Sequence, residues 1–153
     1  MAIPPRLAAA IDALDLAEDR AARIQMLIDL AKRYREVPPA IARRPFDEAH
    51  RVPGCESEAF VWVEPAPDGT VTLAFAVENP QGISARALAV LLQDALSGRP
   101  AAEAAALDPE VVYEVFGREL SMGKALGLTG MVGLARALAA KALAAAPAGS
   151  SAG

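Results

Sequence analysis

The chain has 153 residues, 54% of them hydrophobic but only 5% aromatic, and its 15 basic and 19 acidic side chains leave a net charge of −4. That length suits one domain around one aliphatic core, and the acidic balance argues against nucleic acid as the main partner. The opening Met-Ala-Ile-Pro-Pro-Arg lacks the basic region and apolar stretch of a secretory signal, and a lone thiol suits a reducing compartment, so a cytoplasmic location is expected.

Pro5 to Leu14 reads as a short helix. Asp15-Leu16-Ala17-Glu18 then has the form of an N-cap with an acidic residue three places on, and Ile24, Leu27, Ile28, Ala31 and Tyr34 follow at helical spacing. This predicts an amphipathic helix over about residues 16 to 35. Val37-Pro38-Pro39 stops it, and the run to Pro45 is expected to cross the surface irregularly, with Arg43 and Arg44 as solvated charges.

Ala59 to Glu64 is rich in Val, Phe and Trp, and Pro65-Ala66-Pro67-Asp68-Gly69 supplies a turn before Thr70 to Glu78. That pattern predicts a hairpin. In its second strand Val71, Leu73, Phe75 and Val77 alternate onto one face, while Phe60 and Trp62 share a face of the first strand as packing residues. A short strand around Ala49 to Val52 is expected as a third member. The expected fold class is therefore α+β, a small three-stranded antiparallel sheet packed against helices.

Ser84, Leu88, Leu91, Leu92 and Ala95 form the apolar stripe of the next helix, closed by Gly98 and Pro100. After an alanine-rich turn to Leu107, Asp108-Pro109 reads as the start of a helix that Gly117 ends, and Ser121 as the cap of a last helix over about Met122 to Ala145. Gly127, Gly130 and Gly133 recur along it, each costing about 1 kcal/mol relative to alanine. Close approach of that face to the sheet is the expected offset. Ala125 to Ala146 has about the length of a membrane span, but Arg136 and Lys141 interrupt it and no uncharged apolar run reaches about 18 residues, so a packed helix and no membrane association are expected. Pro147 to Gly153 reads as a disordered tail beyond a single domain of residues 1 to 146. No glycine-rich loop follows a strand, so a nucleotide site has little support.

The only cysteine lies in His50-Arg51-Val52-Pro53-Gly54-Cys55-Glu56-Ser57-Glu58. One thiol cannot close an internal disulfide, and with one histidine it cannot complete a structural zinc site, so no metal is expected. A thiolate on an exposed turn can accept sulfur by exchange chemistry, and Gly54 both sharpens the turn and lets another active site come close. On composition alone, an inert and buried cysteine is the commoner case. His50 and Arg51 are the local cations that would favour a thiolate, against Glu56 and Glu58, while Ser57 suits a turn-capping role. A hydrolase pairing Cys55 with His50 is a further possibility, without an orienting third residue or an oxyanion motif.

Val52-x-Gly54-Cys55-x-Ser57 before a hydrophobic strand, helices upstream, and a strand, helices and Gly127-Leu128-Thr129-Gly130-Met131 downstream together resemble the SufE family over about residues 15 to 146. The resemblance implies a SufE/IscU-like fold and a sulfur acceptor that stimulates a SufS-like, pyridoxal-phosphate-dependent cysteine desulfurase in iron–sulfur cluster assembly. Cys55 would carry the persulfide, with His50, Arg51, Gly54 and Ser57 supporting the loop. A cluster-assembly scaffold would lie downstream. The pyridoxal phosphate belongs to the partner, so this chain is expected to hold no cofactor and to have no independent turnover. The resemblance also implies that the cysteine tucks into an apolar cavity and swings outward on docking. Arg86 and Lys124 match basic positions of the family and would line the docking surface or lie near the loop. His50 stands where the family often has asparagine, Phe60 where it commonly has tryptophan, and Lys124 where it usually has arginine. Two other readings remain: a binding or scaffold protein of the same fold with an incidental cysteine, and a carrier for another sulfur pathway.

Overall fold

The computed structural model describes residues 3–145. The tail expected over 147–153 lies outside them. Among the described residues, six α-helices and three strands follow one another as α1 (Pro5–Asp15), α2 (Arg20–Ala31), β1 (Ala59–Pro65), β2 (Thr70–Val77), α3 (Ile83–Leu96), β3 (Arg99–Pro100), α4 (Ala101–Ala105), α5 (Val111–Phe116) and α6 (Met122–Ala144). The sheet is antiparallel and open, in the order β1-β2-β3.

The expected class is the observed one, but its third strand is elsewhere. Glu48–His50 forms a turn of 3-10 helix because the Asp47 side chain accepts from the Ala49 N–H, and after it Arg51 makes only a single bridge to Phe60. The third strand is the two-residue β3, whose Arg99 and Pro100 pair with Val71 and Thr70 at the opposite edge. Proline is tolerated there because an edge position need not donate.

Side-chain alternation divides the sheet cleanly. Ala59 and Val61 of β1 join Val71, Leu73, Phe75 and Val77 of β2 on the inner face, where α3 packs under β2 and α6 under β1. Leu88, Leu92, Met131, Val132 and Ala135 fill that interface and are fully buried. By length and a mean hydropathy of 1.3 over its most apolar window, α6 could cross a membrane, although it fails the stricter test of an uninterrupted uncharged run. Here Leu128, Met131, Val132, Ala135 and Ala139 spend one stripe of it on the core.

The outer face is covered by the segment expected to be a mere connection. Val37 N–H donates to Phe75 O at 2.8 Å, and Ile41, Ala42 and Phe46 pack on Phe60, Trp62, Ala74 and Ala76. Arg44 is exposed, as expected, but it is also paired: it joins Glu36 and Glu78, at 2.6 Å to the latter, and stacks 5.0 Å from the Phe46 ring.

Two helix starts also differ from expectation. Buried Leu14 carries α1 through Asp15, so α2 starts later, with Asp19 accepting from the Ala22 N–H at 2.8 Å. Residues 108 to 110 form a turn in which Asp108 accepts from the Glu110 N–H, and α5 begins at Val111. Ser121 caps α6 as the sequence suggests, accepting from the Lys124 N–H at 3.3 Å.

Candidate functional site

Cys55 stands at the tip of the loop that leads into β1, half-buried against the inner-face cluster. The base of this loop belongs to the sheet. Val52 N–H donates to Ala59 O at 2.9 Å, Glu78 N–H to Glu58 O and Asn79 N–H to Ser57 O, each of these two at 3.1 Å. The tip turns through two left-handed residues, Gly54 at φ +67° and Glu58 at φ +52°. Glycine adopts that conformation freely, whereas the non-glycine Glu58 holds it at a cost of about 1–2 kcal/mol.

The side chains of the tip are seated on glycines. A Cβ added at Gly127 would lie 3.1 Å from Cys55 Sγ, at Gly123 2.7 Å from Glu56 Oε1, at Gly82 2.9 Å from Ser57 Oγ, and at Gly130 2.9 Å from Val52 Cγ1. The glycine face of α6 therefore admits the cysteine loop, where close approach to the sheet was expected. Gly133 takes no part, since a Cβ there meets nothing within 4 Å.

A cavity of about 300 Å³ opens beside Cys55 between the first turns of α3 and α6, lined by Ser57, Ile83, Ser84, Gly123, Lys124 and Gly127 among others. The N–H groups of Ser84, Ala85 and Gly123 have no hydrogen-bond partner among the described residues. Two helix N-termini, each equivalent to about half a positive charge, thus face the thiol together with the Lys124 side chain. Glu56 is the acidic group at the rim of the same cavity. The volume also has room for one more sulfur atom, given that a water molecule claims about 30 Å³ of liquid.

Of the other site residues expected from sequence, Ser57 and Lys124 line this cavity, and His50, Arg51, Gly54 and Arg86 do not. His50 Nδ1 lies 2.8 Å from Val61 O, and because a carbonyl can only accept, that nitrogen carries the proton. Its ring stacks on Trp62 at 5.3 Å, on the outer side of the sheet. Arg51 lies over Phe60 at 5.8 Å on the same side. The positive field at Cys55 therefore comes from helix starts and Lys124, and the histidine is spent on Val61 and Trp62, leaving a Cys55–His50 hydrolase pair without its base. The Ser57 hydroxyl makes no hydrogen bond among the described residues; its backbone carbonyl carries the attachment to Asn79.

Arg86 is half-buried one turn into α3. It donates to Val77 O at 3.0 Å and lies 4.5 Å from the Tyr34 ring, while Tyr34 Oη accepts from the Val77 N–H at 2.8 Å. Both backbone groups of the last β2 residue are thereby fixed, directly before the Glu78 and Asn79 contacts that hold the loop. Burial raises the Tyr34 pKa above 10.0, against the lowering effects of the Val77 hydrogen bond and the Arg86 charge.

Gly82 and Gly123 were not recognised from sequence as parts of the site. Each sits at a helix start, where glycine is ordinary, and only the fold brings them against Glu56 and Ser57. A larger depression of about 480 Å³ lies near Arg20, Arg23 and Phe116, but it holds no nucleophile. Its Arg23 is already committed to Val115 O and Asp15, and its Arg20 to Glu119.

The family model described as "SufE: Fe-S metabolism associated domain" matches residues 8–139. The solution structure of a hypothetical protein from Thermus thermophilus is similar to this one with a TM-score of 0.71 at 24% sequence identity, over 94% of this chain and 100% of that chain. It supports the fold. No curated protein matches the chain.

Proposed function

The chain belongs to the SufE family, whose domain is associated with Fe–S metabolism, and from that premise we propose that it is a cytoplasmic sulfur acceptor serving a pyridoxal-phosphate-dependent cysteine desulfurase. The observation that carries this reading is the placement of Cys55: a lone thiol at a loop tip, against a cavity that two helix N-termini and Lys124 make positive.

In the reaction, the Cys55 thiolate attacks the outer sulfur of a persulfide on the donor. The donor's S–S bond breaks as the new S–S bond to Cys55 forms, and the donor cysteine leaves as a thiolate. One sulfur atom moves, with no net oxidation. The proton of the transferred sulfhydryl is lost to water or retained according to pH. The seat beside α6 shelters the product from stray thiols and oxidants, and a scaffold for cluster assembly is the recipient in this scheme.

The test is mass spectrometry after incubation with a cysteine desulfurase and free cysteine. A gain of one sulfur atom that is absent in Cys55→Ser, together with loss of desulfurase stimulation in that variant, is expected. Full stimulation by Cys55→Ser would remove the proposal in favour of a binding protein with an incidental thiol.

A further inference from the structure

Gly127 stands out among the glycines of α6 because of what it touches. A Cβ there would meet Cys55 at three atoms, 3.1 Å from Sγ, 3.4 Å from Cα and 3.6 Å from Cβ. At Gly123 the neighbour is the far end of the exposed Glu56 side chain, which can rotate away. At Gly127 the tight contact is with Cys55 Sγ at 3.1 Å, which would have to give by a few tenths of an ångström, while the loop backbone at 3.4 Å would lie in ordinary van der Waals contact and limits how far the tip can yield sideways. Gly127 is buried inside a 23-residue helix, where alanine is the better helix former. Nothing in the helix itself calls for glycine, and the contact with Cys55 does.

We propose that Gly127 is the positioning residue that sets the resting depth of Cys55, its missing side chain being the space into which the loop tip settles. This rests on the reading of Cys55 as the sulfur acceptor, and it adds the group on the opposite wall that fixes how far the thiol is withdrawn between transfers. The tip has little else to hold it to the helices: the side chains of Cys55, Glu56 and Ser57 make no hydrogen bonds among the described residues, the backbone attachments to the sheet lie at Val52, Ser57 and Glu58, and the one bond at Cys55, from the Glu58 N–H to its carbonyl at 3.1 Å, is internal to the loop. A single added methyl presses on Sγ where the tip has few other fastenings, and in this proposal it shifts the balance toward a raised loop. The pivot at Gly54, where φ is +67° and a Cβ would meet nothing within 4 Å, leaves room for that movement.

The experiment compares alkylation of Cys55 by iodoacetamide in the unmodified protein, Gly127→Ala and Gly133→Ala, without any desulfurase. The expected result is a rate at least ten-fold higher in Gly127→Ala and unchanged in Gly133→Ala, where the same helix substitution meets open space. An equal rate in Gly127→Ala and the unmodified protein, with both folded, overturns the proposal. Should Gly127→Ala fail to fold, adding Cys55→Ala removes the clash at Sγ and should restore folding; failure of the double variant to fold also overturns it. Because alkylation needs no donor, faster labelling combined with absent sulfur transfer would sink the acceptor reading and leave the role of Gly127 intact.

Discussion

Two irregular segments flank the same hairpin, and they are fastened in opposite ways. The strap from Val37 to Phe46 lies on the outer face, held by the Val37–Phe75 backbone bond, by Phe46 wedged at 5.1 Å from both Phe60 and Trp62, and by Arg44 between Glu36 and Glu78. The tip from Pro53 to Ser57 lies at the inner side, attached at its base and otherwise resting on glycines. Side-chain anchors make the first part of the scaffold. Their replacement by bare shape complementarity leaves the second able to lift without dismantling the core. A segment that must display a thiol on demand is better served by the second arrangement, since contacts without hydrogen bonds leave no buried polar group stranded when they part.

The comparison can be broken at either segment. Trp62 is 4% exposed beneath the strap, so Trp62→Ala should cost about 3–5 kcal/mol in denaturant unfolding; the rate of Cys55 alkylation in the folded protein should not change. Next in size is Tyr34→Phe, which leaves the Val77 N–H without its acceptor and should cost about 1–3 kcal/mol by the same measurement. Gly54→Ala should cost about 1–2 kcal/mol, because alanine must hold the left-handed conformation, and it should alter alkylation kinetics where Trp62→Ala does not.

The smallest effects are electrostatic. Burial raises the pKa of Tyr34, so the folded protein holds the phenolic proton more tightly than the unfolded chain does. Its contribution is complete below pH 10.0, fades as pH rises above that value, and should be missing from an alkaline titration of Tyr34→Phe. The hydrogen bond from Arg44 lowers the Glu36 pKa below 4.5, outweighing the opposing effect of burial, with the charge of Arg44 adding to the lowering. That contribution is present above pH 4.5 and lost on acidification through the lowered value. With both groups well exposed, the change of midpoint in Glu36→Gln at neutral pH should be slight.

Much of this fold was legible from period alone. The alternation of Val71, Leu73, Phe75 and Val77 gave the inner face, and the stripe from Ser84 to Ala95 gave α3 almost to its ends. Two residues cannot show a period, so β3 was invisible, and Arg51 and Val52 suggested a strand that the Asp47-capped turn precludes. Asp15 and Asp19 both suit an N-cap; burial of Leu14 decides between them, and burial is a tertiary fact. At the site, Cys55 and Gly54 were found by chemistry and Lys124 by resemblance. The seat was hidden because Gly82, Gly123 and Gly127 meet residues 55 to 57 only after the loop has folded back between two helices. His50 and Arg51 looked close to Cys55 in sequence, yet the bridge from Arg51 to Phe60 commits both to the other side of the sheet.

The pairing of Val52 with Ala59, and of Ser57 and Glu58 with Asn79 and Glu78, also fixes a radius of action. Between those fixed points run only Pro53 to Glu56, and a chain advances at most about 3.6 Å per residue. Paid out and back, that tether carries the sulfur less than about 10 Å from its berth. A donor whose sulfur lies deeper than this below its own surface could not be served, so the geometry of delivery is imposed on the visiting protein as much as on the host.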